Sequence, residues 1–146
     1  MRSMADAPQR KANGRNKGAA FEREIATEVF LNLGVKLKRD LEQYRAGDHG
    51  DLIAEDRDWP WVIECKRYAS GTGCKPAWWA QAANAAAATH LQPVVIYKYD
   101  RLPVRVVMQA EMLDPTIEAG HLIEMGMDTF YYVTREIMAT NRELRT

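Results

Sequence analysis

Three residues carry the chemistry this chain can offer: Asp51, Glu64 and Lys66. Asp51 opens the apolar run Leu52-Ile53, and Glu64-Cys65-Lys66 closes the run Trp61-Val62-Ile63. Alternate side chains of a strand share a face, so an extended 61–66 segment points Glu64 and Lys66 the same way. If the two runs are neighbouring strands of a hairpin, Asp51 reaches the same spot. Two carboxylates and an ammonium would then converge, and the backbone carbonyl of Cys65 could add a neutral oxygen. A hard ion such as Mg2+ takes one or two carboxylates, several waters and a phosphate oxygen. Beside a lysine that orients water and balances developing charge, such an ion suits hydrolysis of a phosphodiester. An acid-x-lysine alone carries little weight, because an ordinary ion pair on a solvated edge strand explains it as well. The second acid, placed just ahead of an apolar strand, gives the pattern its meaning.

Elements must hold those residues in place. Phe21, Ile25, Val29, Phe30 and Leu33 recur at helical spacing, so a helix is expected over Lys17 to Leu33, ended by Gly34. Val35 to Arg39 alternates like a strand. Residues 46–50 hold two glycines and read as a turn, followed by strands over Leu52 to Ala54 and Trp61 to Lys66. Ala69 to Lys75 reads as a loop. Pro76 then sits where proline favours a first helical turn, and the helix runs through Trp78, Trp79, Gln81 and an alanine-rich stretch to about Thr89. That segment is long enough to join two parallel strands. Pro93 to Tyr99 and Arg105 to Ala110 form the next hairpin. A short helix broken by Pro115 is expected over Glu111 to Ala119. A last helix, capped by Asp128, carries Phe130, Val133, Ile137 and Met138 on one stripe. The order fits an α/β sandwich around a mixed central sheet.

With 146 residues and 47% hydrophobic content, the chain fits one domain with a real core. No apolar run is long enough to span a membrane. Residues 1–18 are polar and basic, so no leader is expected and a cytoplasmic site of action is, in the host if a phage encodes the chain. Formal net charge is zero, but it is segregated. Residues 1–45 hold ten basic and six acidic side chains, and residues 111–146 hold three and seven. A basic N-terminal part could therefore face phosphates. Residues 1–15 lack periodicity and read as a flexible basic arm ahead of a single domain over 16–146.

These residues reach a family. Asp51…Glu64-Cys65-Lys66 resembles the PD-(D/E)xK nuclease motif, with His49-Gly50 ahead of the aspartate where a proline often stands. The run Lys17-Gly18-Ala19-Ala20-Phe21-Glu22-Arg23-Glu24-Ile25 resembles the opening helix of archaeal Holliday-junction resolvases, as does the glycine-containing turn 46–50. The whole chain, including Trp78-Trp79-Ala80-Gln81 and Tyr99-Asp100-Arg101-Leu102-Pro103, is similar to small phage-type PDDEXK endonucleases. The resemblance implies a restriction-endonuclease-like α/β fold, a mixed central β-sheet flanked by helices. It implies a Mg2+-dependent, Holliday-junction resolvase-like endonuclease that cuts branched DNA as a homodimer, with Mn2+ able to substitute; its partner is branched or double-stranded DNA. Carried over by position, the catalytic residues are Glu22, Asp51, Glu64 and Lys66. Asp51, Glu64 and the Cys65 carbonyl would bind metal, with Glu22 joining directly or through water. Lys17, Arg23, Arg15 and His49 would meet DNA. The alternatives are a nuclease of another DNA structure (flap, nick or plain duplex) and a DNA-binding protein of the same fold that cuts nothing.

Other residues have plainer readings. His49, His90 and His121 are scattered and, with Cys65 and Cys74, show no zinc spacing; the two cysteines read as free thiols. Core packing accounts for Trp61 and for one of Trp78 and Trp79, whose directions diverge by about 100° on a helix. The tryptophans could otherwise stack on opened DNA or serve a dimer interface. Gln81 is expected to be a helix-surface amide.

Overall fold

The computed structural model describes residues 6–39 and 52–146, with side chains from Lys17 onward. Helix α1 spans Asp6–Leu33, strand β1 Leu37–Arg39, β2 Leu52–Ala54 and β3 Trp61–Tyr68. Helix α2 follows at Pro76–Ala87, then β4 at Gln92–Tyr99, β5 at Arg105–Gln109, β6 at Leu122–Met125 and helix α3 at Met127–Arg145. Among the described residues the strands form one six-stranded sheet in the order β1-β2-β3-β4-β5-β6. Every neighbouring pair is antiparallel except β3 and β4, which run parallel through the α2 crossover. This is the restriction-endonuclease-like α/β architecture, a mixed sheet with helices on both faces.

The strand alternation divides the core. On one face Trp61, Ile63, Val94, Ile96, Val106 and Met108 pack with Phe21, Ile25 and Val29 of α1 and with Phe130, Val133 and Met138 of α3. The buried α1 residues recur every four positions, which is one stripe of a helix. Trp61 Nε1 donates to Thr134 Oγ1 at 3.0 Å, so the polar end of a fully buried indole is paired. On the other face α2 lies close. Trp78 and Ala82 pack with Val95, Tyr97, Tyr99 and Val107, and Ala85 and Ala86 pack with Val62. The alanines give α2 a thin contact side, so its backbone approaches the two central strands.

Four expectations are corrected. Helix α1 starts at Asp6, ahead of the expected start at Lys17. That stretch has no apolar stripe, yet it is rich in Ala, Arg, Lys and Gln, which favour a helix without packing. The segment after β5 forms a single 3₁₀ turn at Ala110–Met112. Strand β6 is additional; with four residues and only Met125 buried, it leaves too short a pattern to read. Gly126 stands at the N-cap of α3, and Asp128 lies inside the first turn, where its charge still favours the helix end.

Candidate active site

Strand β3 lies inside the sheet, between β2 and β4, and positions the site. Its odd residues, Trp61 and Ile63, face α1 and α3, and its even residues face α2. Glu64 and Lys66 are therefore neighbours on the α2 face. Lys66 Nζ lies 3.1 Å from Glu64 Oε1, with the Glu64 side chain 4% exposed and that of Lys66 15%. From α2, Gln81 Oε1 accepts a hydrogen bond from Lys66 Nζ at 2.8 Å. The ammonium is thus fixed between a carboxylate on its own strand and an amide on the facing helix.

The second oxygen of Glu64 is the unusual atom. Oε2 is buried and has no hydrogen-bond partner among the described residues. A buried carboxylate oxygen without a donor is costly. A hard cation satisfies such an atom, so the donor chemistry fits a divalent ion at this point. Glu64 would hold it through Oε2, with the Lys66 ammonium beside Oε1. Among the described residues no group of three or more His, Cys, Asp or Glu side chains stands close enough to hold a metal by itself. Asp51 and His49 lie outside the described residues, and so does the side chain of Arg15, whose backbone belongs to α1.

The other expected site residues are placed differently. Glu22 projects from α1 toward β1, where its Oε2 accepts from Arg39 Nη2 at 2.6 Å and Nε at 3.0 Å. It lines a cleft of about 150 Å³ with Arg23, Lys38, Arg39 and Leu52, on the α1 face of the sheet. The described residues thus bring Glu64, Lys66 and Gln81 together and hold Glu22 in a separate ion pair. Arg23 is exposed at the rim of that cleft. Cys65 alternates to the α1 face, where its side chain packs against the core, and its place in β3 is opposite Ile96 of β4.

Lys17 is bound up in a charge cluster. Its Nζ lies 3.3 Å from Asp100, whose carboxylate also pairs with Arg67. Hydrogen bonds from Arg67 and then Lys17 hold the Asp100 carboxyl below the usual carboxylate range. Asp100 follows β4 and Arg67 follows Lys66, so this cluster borders the site at the C-terminal ends of the two parallel strands.

Sequence reasoning undervalued Gln81 and did not find the Asp100 pair. Gln81 comes three residues after the buried Trp78 and one before the buried Ala82. That spacing puts it at the edge of the α2 stripe that faces the sheet, a signal available without coordinates. The Asp100–Arg67 contact arises from the parallel register of β3 and β4 and has no local signature.

A family model described as "Phage putative PDDEXK endonuclease" matches residues 13–140. Neither a curated protein nor a solved structure matches the chain. The matched segment contains α1 from residue 13 onward, the whole sheet, with the strand that carries Glu64 and Lys66, and most of α3. PDDEXK nucleases are hydrolases of DNA phosphodiesters that use divalent metal ions. With the acid-x-lysine strand, its helix-borne glutamine and a match over most of its length, the chain belongs to the phage PDDEXK endonuclease family.

Proposed function

We propose that the protein is a Mg2+-dependent endonuclease of branched DNA, similar in action to Holliday-junction resolvases, with Mn2+ able to replace Mg2+. The observation that carries the catalytic part is the Glu64–Lys66–Gln81 arrangement, with one Glu64 oxygen left for a cation. Asp51 supplies the second carboxylate in this reading. The pairing beside it supports this reading: Leu52, the residue after Asp51 in the sequence, pairs antiparallel with Ile63, the residue before Glu64. The Cys65 carbonyl is a further proposed ligand. Glu22 would act at a distance, from the cleft it shares with Leu52.

The ion's part is to polarise the phosphate and to lower the pKa of water. The chain's own residues do the rest. Lys66, held by Gln81, keeps its ammonium aimed at the charge that develops on the phosphate oxygens, without having to reorganise during reaction. Glu64 pairs with that ammonium through Oε1 and would hold the ion through Oε2. Lys17, Arg23, Arg15 and His49 are proposed to contact the DNA backbone, with the basic arm of residues 1–15 adding affinity. A homodimer fits a four-way junction, because two-fold symmetry presents two sites to two equivalent strands. The host cytoplasm is the proposed place of action.

The test is cleavage of a labelled four-way junction and of a matching linear duplex in Mg2+, with the Asp51→Asn and Lys66→Ala variants beside the wild type. Junction cutting that both substitutions abolish is the expected result. Equal cutting of duplex removes the junction preference and leaves the nuclease. Binding without cutting, in Mg2+ or Mn2+, removes the enzyme and leaves a DNA-binding protein of this fold.

A further inference from the structure

We propose that Tyr68, backed by Trp78 and flanked by Lys75, is a stacking shelf for an unpaired nucleotide of the DNA strand next to the cut. This deepens the endonuclease reading and rests on it for the identity of the ligand. Tyr68 is the last residue of β3, two beyond Lys66, so the alternation sets it on the same face as Glu64 and Lys66. Two strand residues cover about 7 Å, which brings the ring within a nucleotide's reach of the lysine.

The ring is open and also fixed. Tyr68 is 44% exposed, whereas Trp78 behind it is 6% exposed. The two rings stack with centroids 5.2 Å apart and planes 10° from parallel. Trp78 is itself wedged against Tyr97 and Tyr99, both buried, at 5.8 and 6.1 Å. The loop that leads to Lys75 is pinned to the same cluster. Tyr99 Oη donates to the Gly73 carbonyl at 2.7 Å, and a Cβ at Gly71 would lie 2.5 Å from the Tyr99 ring. Lys75 Nζ stands 5.6 Å from the centroids of both Tyr68 and Trp78. Arg67, the residue between Lys66 and Tyr68, alternates to the opposite face and pairs with Asp100, and its Nη1 donates to the Tyr68 carbonyl at 2.7 Å, which ties down the end of the strand.

An exposed aromatic ring on a rigid base, with the Lys75 ammonium beside it and the proposed cutting residues on the same strand face, suits a base and its phosphate. Every base has a π face, so stacking tolerates any sequence. It does require a base that has left the duplex, because paired bases already stack on their neighbours. The shelf therefore selects DNA with unpaired or splayed nucleotides at the cut: junctions, flaps and single-stranded gaps rather than continuous duplex.

The experiment measures binding in the presence of a chelator, so that no strand is cut. Two oligonucleotides are compared: a duplex with a short single-stranded gap carrying 2-aminopurine, and the fully paired duplex of the same sequence. The wild type should prefer the gapped DNA and quench the 2-aminopurine emission as the base stacks. Tyr68→Ala should abolish the quenching and reduce the preference roughly tenfold, while Tyr68→Phe should keep both. Lys75→Ala, which removes the flanking cation and leaves the rings in place, should weaken the preference with the quenching retained. A Tyr68→Ala protein that quenches like wild type, or that loses gapped and paired DNA equally, overturns the shelf. Melting curves for each variant separate these outcomes from misfolding. Tyr68-dependent quenching by a protein that never cuts would keep the shelf and remove the nuclease. Cutting with a preference that ignores Tyr68 would do the reverse.

Discussion

Gln81 on α2 holds Lys66 on β3 at 2.8 Å, across the space between the helix and the sheet. Lys66 is in turn 3.1 Å from Glu64. A lysine ammonium has three donors on a flexible stem and adopts many positions when left alone. Two acceptors on two different elements remove that freedom. The crossover helix thereby acts on the site as well as on the core, through the same stripe that buries Trp78 and Ala82.

Replacing Gln81 tests this positioning. Gln81→Ala leaves the Lys66 charge and the Glu64 pair in place but removes the bond to the helix. The expected effect is a fall of roughly ten- to hundredfold in turnover, since misplacement of a reacting group by about 1 Å costs on that scale. DNA affinity measured without metal should change little by comparison. Gln81→Glu keeps an acceptor, so it should restore part of the loss in single-turnover cleavage; turnover equal to wild type in Gln81→Ala would show that the bond has no bearing on the reaction.

Asp100 restrains two cations that border the site. Its carboxylate engages Arg67 and Lys17, and their hydrogen bonds depress its pKa. A group whose folded pKa is lowered contributes above its unfolded pKa and loses that contribution as pH falls through the folded value. The carboxylate therefore stays charged throughout the neutral range, and its restraint weakens only on strong acidification, below the ordinary aspartate range. Asp100→Asn removes the charge at any pH. Freed, Lys17 and Arg67 can each neutralise a DNA phosphate, so affinity should rise several-fold at low salt. The slope of log affinity against log salt should steepen by about one to two. Titrations of one duplex at several salt concentrations read both quantities. An unchanged slope would mean that neither cation meets the DNA backbone.

Much of this arrangement was legible in the sequence, and the reasons are local. The acid-x-lysine strand is readable because alternation is a two-residue rule, and it put Glu64 and Lys66 on one face as found. The parallel crossover is readable because a twelve-residue helix separates two apolar runs. The misses share a different cause. Helix α1 begins early because helix propensity needs no apolar stripe, so periodicity alone starts it too late. Gln81 was taken for a surface amide because its partner lies fifteen residues away on another element. The Glu22–Arg39 ion pair likewise joins two elements, so the pairing, as distinct from any part Glu22 plays in the site, has no signature within the helix. Asp51, proposed as the second carboxylate, lies outside the described residues, and the sequence motif together with the Leu52–Ile63 pairing beside it supports that proposal.

The last prediction concerns stability at the opposite end of the sheet. Asp58, 3% exposed in its side chain, joins the β2–β3 connection to the end of α3. Its carboxylate accepts from Arg145 Nε at 2.8 Å and Arg142 Nε at 3.3 Å, and Asn141 Nδ2 donates to its backbone carbonyl at 2.9 Å. The two arginines also complement the negative end of the α3 dipole. The partners are unequal: the acid is buried, while Arg142 is 68% and Arg145 44% exposed. Removing one arginine leaves the acid its other partner, so Arg142→Ala should cost under about 1 kcal/mol. Removing the acid releases both arginines to water and leaves a small cavity, for a loss of about 1–3 kcal/mol. In a chain of this size that lowers the melting temperature by roughly 3–10 °C. Thermal unfolding followed by circular dichroism checks the order, Asp58→Ala well below Arg142→Ala and wild type. Equal melting temperatures for the two variants would show that the buried carboxylate does no more than its exposed partners.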